Sequence, residues 1–406
     1  MLSRRIPPHT QTNELSRAVE ALRASGTPFA DLTESNPTRA GIPYPADLLA
    51  PLSDPRALRY EPQPFGLESA RAAVAADQHR RGADVDASQV VLTASTSEAY
   101  SWLFKLLCDP GASVLVPRPS YPLFDHLTQL EGVRAETYAL EYHGRWEIDF
   151  ASLAAAPADA RAVVVVSPNN PTGSCLTAPE LDRLVALCQE RQWALIADEV
   201  FADYLFHAQA VASDESRGVT DIASRAGVLS FTLAGLSKTA GLPQVKVGWM
   251  IAGGPRHARD AALAALELIA DSFLSVGTPA QVALPDLLRQ GAPVRAAIQA
   301  RTRRNLESLR DLARAHPACD VLRADGGWSA VIRVPATRGE DRLVLDLLEQ
   351  QRVLVHPGYF FDFPREAFLV VSLLPAHDAF VDAMARVLRF VDPADSAHGA
   401  ARTALA

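Results

Sequence analysis

The chain has 406 residues, of which 48% are hydrophobic and 21% charged, a composition typical of a globular protein with a large core. A formal net charge of −8 disfavours partners such as nucleic acid or anionic membranes. No apolar run approaches the ~18 residues of a membrane span, and the N-terminus lacks the apolar core of a secretory signal. The four cysteines do not stand at metal-ligand spacing, so we expect a cytoplasmic protein with reduced thiols and no metal site.

Short apolar runs alternate with helical patterns through the first 284 residues. After a predicted helix at 14–24 and a turn-rich stretch at 31–45, helices are predicted at 66–81, 95–107, 119–130, 180–191 and 257–272. The apolar runs predict strands at 90–94, 114–116, 162–166, 194–197, 228–233 and 247–252. This alternation predicts an α/β fold with a mostly parallel sheet covered by helices on both faces.

The composition changes after about Leu284, where a long charged helix is predicted at 295–315. Beyond it, strands are predicted at 330–334, 353–355 and 368–373, and helices at 340–350 and 376–391. These elements predict a second, smaller α+β domain.

Polar residues follow the predicted strands, where open α/β sheets bind ligands. Lys238 follows one strand among small and apolar neighbours, where a lysine loses its proton more easily than in water, although most lysines are simply solvated. Ser95, Thr96 and Ser97 follow another strand at a helix N-terminus, which suits either a phosphate or an ordinary helix cap.

Three motifs occur together in the chain: Leu-Ser-Lys-Thr-Ala-Gly-Leu-Pro at 236–243, Asn-Asn-Pro-Thr-Gly at 169–173 and Ala-Asp-Glu-Val at 197–200. Their order and spacing resemble the fold-type I pyridoxal-phosphate enzymes of the aminotransferase class I/II family, over roughly residues 31–374. The resemblance implies a sheet of the seven-stranded type. It also implies an N-terminal arm that forms part of the small domain (1–45), a large cofactor-binding domain (46–284), a small C-terminal domain (285–392) and a disordered tail (393–406).

The resemblance assigns roles to individual residues. Lys238 forms a Schiff base with the cofactor and then moves the proton between substrate and cofactor. Asp198 pairs with the pyridinium nitrogen, Asn170 donates to the ring oxygen, and Tyr121 stacks on the ring. The remaining cofactor residues implied are Ser95, Thr96, Ser97, Ser237 and Lys246 around the phosphate, and Tyr60 from a neighbouring subunit of a homodimer.

Two positions depart from the family pattern. Phe201 stands where a tyrosine usually bonds the ring oxygen, and Val370 stands where an arginine usually binds the substrate carboxylate. Either another cation has taken over that task or the substrate has no carboxylate there. The candidate replacement is Arg39, which follows Asn36 in a turn that resembles the segment over the substrate, and Arg365 is the second choice. Each of these arginines is equally well interpreted as a solvated surface residue.

The pattern therefore favours an aminotransferase that passes an amino group between an amino acid or amine and a keto acid. A lyase or decarboxylase on the same scaffold is the alternative, because the same residues stabilise any Cα carbanion. A binding or regulatory protein is disfavoured because the cofactor lysine is retained and no DNA-binding segment is appended. The sequence does not name the amino donor or acceptor.

Overall fold

The computed structural model describes residues 13–206 and 227–392, together with Ser3, Arg5, Ile6 and Ile222. The tail predicted at 393–406 lies outside the described residues, as does most of 1–12. The described α-helices are α1 Glu14–Ala24, α2 Glu68–Arg80, α3 Thr96–Leu107, α4 Leu123–Glu131, α5 Phe150–Ala154, α6 Ala178–Arg191, α7 Leu236–Thr239, α8 Arg256–Phe273, α9 Thr278–Gln290, α10 Ala292–Ala313, α11 Glu340–Gln351 and α12 His377–Val391.

The largest sheet contains eight strands: β2 Val90–Thr93, β3 Ser113–Arg118, β4 Arg134–Tyr142, β5 Trp146–Ile148, β6 Ala160–Val166, β7 Ala194–Asp198, β8 Ser230–Gly235 and β9 Gly248–Gly253. Their order is β2-β9-β8-β7-β6-β3-β4-β5. The central strands β8, β7, β6, β3 and β4 are parallel, whereas β9, β2 and β5 pair in the antiparallel sense. The predicted α/β fold is confirmed, with the three-residue strand β5 added at one edge.

Both faces of this sheet are buried, which explains why its central strands are continuous apolar runs. In β7, Ile196 faces a cluster that contains residues of α3, α4 and α8. Its neighbours Leu195 and Ala197 belong to a cluster on the opposite face, with residues of α5 and α6. Side chains alternate along a strand, so a strand covered on both faces needs apolar residues at every position.

A second sheet lies in the C-terminal part of the chain. It has the order β10-β11-β14-β13, and all three of its pairings are antiparallel. Its strands are β10 Asp320–Val321, β11 Ser329–Arg333, β13 His356–Pro357 and β14 Phe368–Ser372. One face carries Ile332, Leu369 and Val371 and packs in a cluster that contains residues of α10, α11 and α12. The predicted strand–helix pattern after residue 284 is therefore observed.

The N-terminal segment is tied to this second sheet region. The two-residue strand β1 (Ala30–Asp31) pairs in parallel with β12 (Val353–Leu354). The backbone N–H of Ser372 donates to the carbonyl of Leu32 at 2.6 Å, and its Oγ donates to the carbonyl of Glu34 at 2.6 Å. We call residues 31–40 the strap. Among the described helices no single one is long and apolar enough to cross a membrane, although α8 and α9, bent by 120°, meet that criterion as a pair.

Candidate active site

Lys238 lies in the single-turn helix α7, directly after β8. The backbone around it is held from two sides. The hydroxyl of Tyr204 donates to the carbonyl of Lys238 at 2.5 Å, and the hydroxyl of Tyr44 donates to the carbonyl of Gly241 at 2.6 Å. Gly241 has φ +64°, and a Cβ there would lie 2.9 Å from the Tyr44 hydroxyl, so the turn requires glycine. The lysine is thus presented on a rigid turn at the carboxyl end of a strand.

The Lys238 side chain is enclosed by aromatic rings. Its Nζ lies 5.0 Å from the ring centre of Trp328 and 5.8 Å from that of Phe201, and these two rings meet edge to face. Burial lowers the pKa of Lys238 below its ordinary value, and the negative charge of Asp198 opposes that effect. Loss of the proton is what a lysine needs in order to act as a nucleophile or base.

Asp198 ends β7 and is 8% exposed. Its Oδ1 accepts from the backbone N–H of Val200 at 3.1 Å, and its Oδ2 accepts from the hydroxyl of Tyr100 at 2.9 Å. Burial raises the pKa of Asp198 to about 6, although both hydrogen bonds and Lys238 favour the ionised form. The carboxylate is therefore ionised at neutral pH and loses its charge in mild acid.

Helix α3 begins directly after Ser95, where the sequence predicts a helix start. Ser95 is its N-cap, and the side chain of Ser95 accepts from the N–H of Glu98 at 3.2 Å. Strand β9 passes so close that a Cβ on Gly248 would lie 3.0 Å from the Thr96 nitrogen. Ser237 is partly buried in α7, whereas Lys246 is exposed and has φ +59°. The backbone of Gly248 thus lines one side of this helix N-terminus, which we call the cradle. Lys246, the predicted second cation, lies on the surface.

The turn after β6 is organised by Asn169, whose Nδ2 donates to the carbonyl of Pro119 at 3.0 Å and to Thr172 Oγ1 at 2.9 Å. Its neighbour Asn170 is less enclosed: its Oδ1 accepts from Ser329 Oγ at 3.3 Å. Tyr121 follows the segment that Asn169 anchors and is 48% exposed. Asn170 and Tyr121 are therefore both open to a ligand.

Tyr60 lies apart from these residues on the surface of the chain. It is 72% exposed and borders a pocket that also contains Trp102, Leu274 and Gln281. Leu58, Leu268 and Phe273 are large apolar side chains that are also exposed, by 91%, 74% and 53% respectively. A tyrosine in this position is available to a neighbouring molecule.

Val370 lies on the face of the second sheet that is directed towards the site. It pairs with Val331 in β11 and with His356 in β13, and Ser329, two residues before Val331, bonds Asn170. Val370 is 1% exposed and belongs to an apolar cluster that contains Phe361 and Phe368. Burial lowers the pKa of His356 to about 4, so this histidine is neutral at physiological pH. Val370, at the position where the family pattern has an arginine, is thus buried among uncharged side chains.

The two candidate replacement arginines lie in different surroundings. Arg39 is 71% exposed at the end of the strap, where its Nε lies 3.3 Å from Glu34 Oε2. Asn36 is partly buried and uses its Oδ1 to accept from the N–H and the hydroxyl of Thr38. Arg365 is an exposed residue of the loop before β14. Arg39 is thus attached to a segment that bonds Ser372, two residues from Val370, whereas nothing in the described structure ties Arg365 to the site.

Sequence reasoning missed Tyr100, Trp328 and Ser329. Tyr100 lies in a largely apolar helical pattern, which predicts a core residue. Trp328 follows two glycines, and Ser329 is a single small residue at a strand start, so neither belongs to a motif that indicates a site. The hydroxyl of Tyr100 was the available signal, because a buried tyrosine hydroxyl usually has a hydrogen-bond partner. The acceptor of Tyr100 lies 98 residues further along the chain, so the sequence alone does not show which group it contacts.

Comparisons with known proteins agree with this arrangement. The family described as aminotransferase class I and II matches residues 45–384. The chain is 26% identical over 390 residues to a glutamate-pyruvate aminotransferase of Haemophilus influenzae, covering 92% of this chain and 93% of that protein. It is 27% identical over 382 residues to an alanine aminotransferase of Mycobacterium bovis, covering 91% and 87% respectively.

Solved structures show the same fold. A crystal structure of an aminotransferase from Escherichia coli superposes with a TM-score of 0.81 at 24% identity, covering 95% of this chain and 99% of that one. An alanine aminotransferase from Pyrococcus furiosus superposes with a TM-score of 0.80 at 21% identity, covering 93% and 96%. The chain therefore belongs to the aminotransferase class I and II family and is a transferase enzyme.

Proposed function

We propose that this protein is a pyridoxal-phosphate-dependent aminotransferase that uses Lys238 as its Schiff-base lysine. One observation carries the proposal: a lysine with a lowered pKa follows β8, and a buried carboxylate on the adjacent strand β7 interacts with it electrostatically. The relatives named as aminotransferases support the reaction class.

The residues present fit pyridoxal phosphate. The uncapped amides at the start of α3 suit its phosphate, and the close approach of Gly248 leaves no side chain in their way. Asp198 has spare lone pairs for a protonated ring nitrogen, and Asn170 has an amide N–H₂ available. When bound, this cofactor supplies an electron sink for the carbanion formed at the substrate Cα.

The side chains of this chain divide the remaining work. Lys238 accepts and returns the proton at the substrate Cα, and burial, which lowers the pKa of Lys238, favours the unprotonated amine. The negative charge of Asp198 would stabilise a positive charge on the ring nitrogen. Trp328 and Phe201 wall the lysine and exclude water from that side.

Spectroscopy tests the proposal. The protein loaded with pyridoxal phosphate should lose its visible absorbance when an amino donor is added alone, and a keto acid should restore it. Borohydride reduction followed by peptide mapping should place the label on Lys238 and not on Lys105 or Lys246, the other two lysines of the chain. Absence of a lysine-bound label, or a label on another lysine, would overturn the assignment of Lys238.

The same experiment separates the alternative chemistry. A lyase or decarboxylase would release ammonia or carbon dioxide from one substrate, with no need for a keto acid. The aminotransferase names of the relatives favour transfer over these reactions. A keto acid requirement, measured by product formation, decides between them.

We also propose a homodimer with shared sites, supported by the exposed Tyr60 and by the exposed apolar side chains of Leu58, Leu268 and Phe273. Mixing a Lys238→Ala chain with a Tyr60→Phe chain should form heterodimers in which one site has both native residues. Activity above the sum of the separate variants is expected. No gain on mixing would argue against sharing.

Further parts of the proposal concern substrate and organisation. Arg39, or else Arg365, binds the substrate carboxylate, and Asn36 shapes the strap around it. The division into 1–45, 46–284, 285–392 and 393–406 remains our proposal for the domains. Cytoplasmic location is proposed because the four cysteines are all free thiols.

A further inference from the structure

The Asp198 carboxylate is held at both oxygens by donors of different kinds. Val200 supplies a backbone N–H to Oδ1, and Tyr100 supplies a hydroxyl to Oδ2. Two fixed donors define the plane of the carboxylate as well as its position. The direction in which the remaining lone pairs point is therefore set partly by a side chain of α3.

Tyr100 is itself immobilised. It is 3% exposed, and its ring meets Phe124 edge to face at 5.4 Å and lies 5.9 Å from Phe104. A phenol has a single O–H to donate, and here the carboxylate receives it. Burial and the neighbouring Asp198 charge raise the pKa of Tyr100 well above its usual value, so the hydroxyl keeps its proton.

One helix therefore contributes to two ends of the site. The amides of Thr96 and Ser97 begin α3, and Tyr100 lies one turn further along, roughly 6 Å by the rise of an α-helix. A rigid helix turn fixes the distance between the phosphate cradle and the donor to Asp198.

The surroundings of Asp198 have opposing effects on its ionisation. Tyr100 from α3 and Lys238 from α7 favour the carboxylate, whereas burial favours the neutral acid. Glu199, the adjacent carboxylate, is paired with Arg81, whose Nη2 lies 3.4 Å from its Oε2. The Tyr100 hydrogen bond thus contributes to keeping Asp198 charged near neutral pH.

We propose that Tyr100 is a positioning residue that holds the Asp198 carboxylate in the orientation and charge state that a protonated cofactor ring nitrogen requires. This inference rests on the proposed function. It assigns to α3 a task at the ring nitrogen in addition to its task at the phosphate.

Cofactor binding to the apoprotein tests the inference without turnover. Affinity is measured by tryptophan fluorescence for pyridoxal phosphate and for its 1-deaza analogue, which has a carbon in place of the ring nitrogen. Tyr100→Phe should weaken binding of pyridoxal phosphate about twofold at pH 7 and nearly tenfold at pH 5, and leave the analogue unchanged, because a lost hydrogen bond to a charged group raises the Asp198 pKa from about 6 by about one unit. The pH midpoint of cofactor binding should rise by the same amount.

Tyr138→Phe is the matched control. Tyr138 is also buried and donates its hydroxyl to a protein oxygen, the carbonyl of Val164, at 2.8 Å. This variant loses a comparable hydrogen bond away from Asp198, so both ligands should bind as they do to the native protein. Combining Tyr100→Phe with Asp198→Asn should weaken binding no further than Asp198→Asn alone, because Tyr100 acts through that carboxylate.

Equal weakening of both ligands by Tyr100→Phe would show a merely structural role and overturn the inference, as would unchanged binding of both. Should this variant not fold, the native pH profile tests the premise that a charged Asp198 binds the ring nitrogen: pyridoxal phosphate affinity must fall below about pH 6 while that of the analogue does not, and a flat profile overturns the inference. Native protein that binds no pyridoxal phosphate would instead overturn the proposed function itself.

Discussion

The two sides of the candidate site differ in how their polar groups are used. On the side of the eight-stranded sheet, Asp198, Lys238 and Asn170 each end or follow a strand, and hydrogen bonds hold the backbone or side chain of each. On the side of the second sheet, Val331, Val370 and His356 present an uncharged, largely buried surface.

This difference separates two tasks of the enzyme. The rigid, hydrogen-bonded side has the groups proposed for proton transfer, and it departs from the family pattern at Phe201. The apolar side replaces the usual cation with valine, so recognition of the substrate must depend on other residues. Under the proposed function, reaction type and substrate choice depend on different elements, which substitutions can test separately.

The largest effect is expected from Lys238→Ala, which removes the proposed base from the side of the eight-stranded sheet. Turnover should fall by at least about a thousandfold, because both the covalent link and the proton transfer are lost. Steady-state kinetics measure the loss, and an unchanged melting temperature shows that the fold survives. Lys105→Ala, which removes a lysine paired with Glu131 on the surface, should keep its activity.

Asp198→Asn tests the second group on that side. Weaker cofactor binding and turnover reduced roughly 100-fold, about 2.7 kcal/mol in the barrier, are expected because a neutral amide does not stabilise a charged ring nitrogen. Cofactor titration and single-turnover kinetics measure the two effects. Asp159→Asn, at an exposed pair with Arg134, is the control, and similar losses in both variants would contradict a role at the ring.

Arg39→Ala tests the apolar side. If Arg39 replaces the missing cation, KM for an α-amino acid should rise about tenfold, because a charge-assisted hydrogen bond to the carboxylate is lost, and simple amines should be unaffected. Arg365→Ala is the parallel variant at the second candidate. Unchanged amino-acid kinetics in both variants would exclude either arginine, and activity on ω-amines or amino alcohols would then favour a substrate without that carboxylate.

The smallest effect concerns His356, whose pKa of about 4 lies below the ordinary 6.5. Between those values the unfolded chain binds a proton that the folded chain does not, so His356 lowers stability as pH falls from 7 to 5, by about 1–2 kcal/mol. His356→Phe should lose less stability over this range, measured by denaturant unfolding. The raised pKa of Asp198 acts in the opposite direction in both proteins and cancels in the comparison; equal losses would contradict a neutral His356.

Much of the fold could be predicted because its strands are continuous apolar runs. The strand predicted at 194–197 is β7, and the helix predicted at 340–350 is α11. Strand β4 was not predicted, since polar residues interrupt its sequence and only the three residues 138–140 are consecutively apolar. Helix α9 was not predicted either; it contains Pro285, a residue that usually ends helices.

The site was predictable only where a motif is local. Lys238, Asn170 and Asp198 belong to short stretches that follow strands, and the structure places each at such a position. Their roles towards a cofactor stay predictions. The contacts of Tyr100 and Trp328 with these residues depend on long-range packing, which no local pattern reports.

The attachment of the strap has a consequence for biosynthesis. The start of α3, Asp198, Lys238 and Gly248 are all translated before residue 250. This part of the sheet can therefore assemble while the ribosome is still extending the chain. The strap, although translated early, pairs with Val353–Leu354 and bonds Ser372. The newborn protein therefore attaches the strap only after residue 372 has been translated, when the segment that carries Lys238 has already had time to fold.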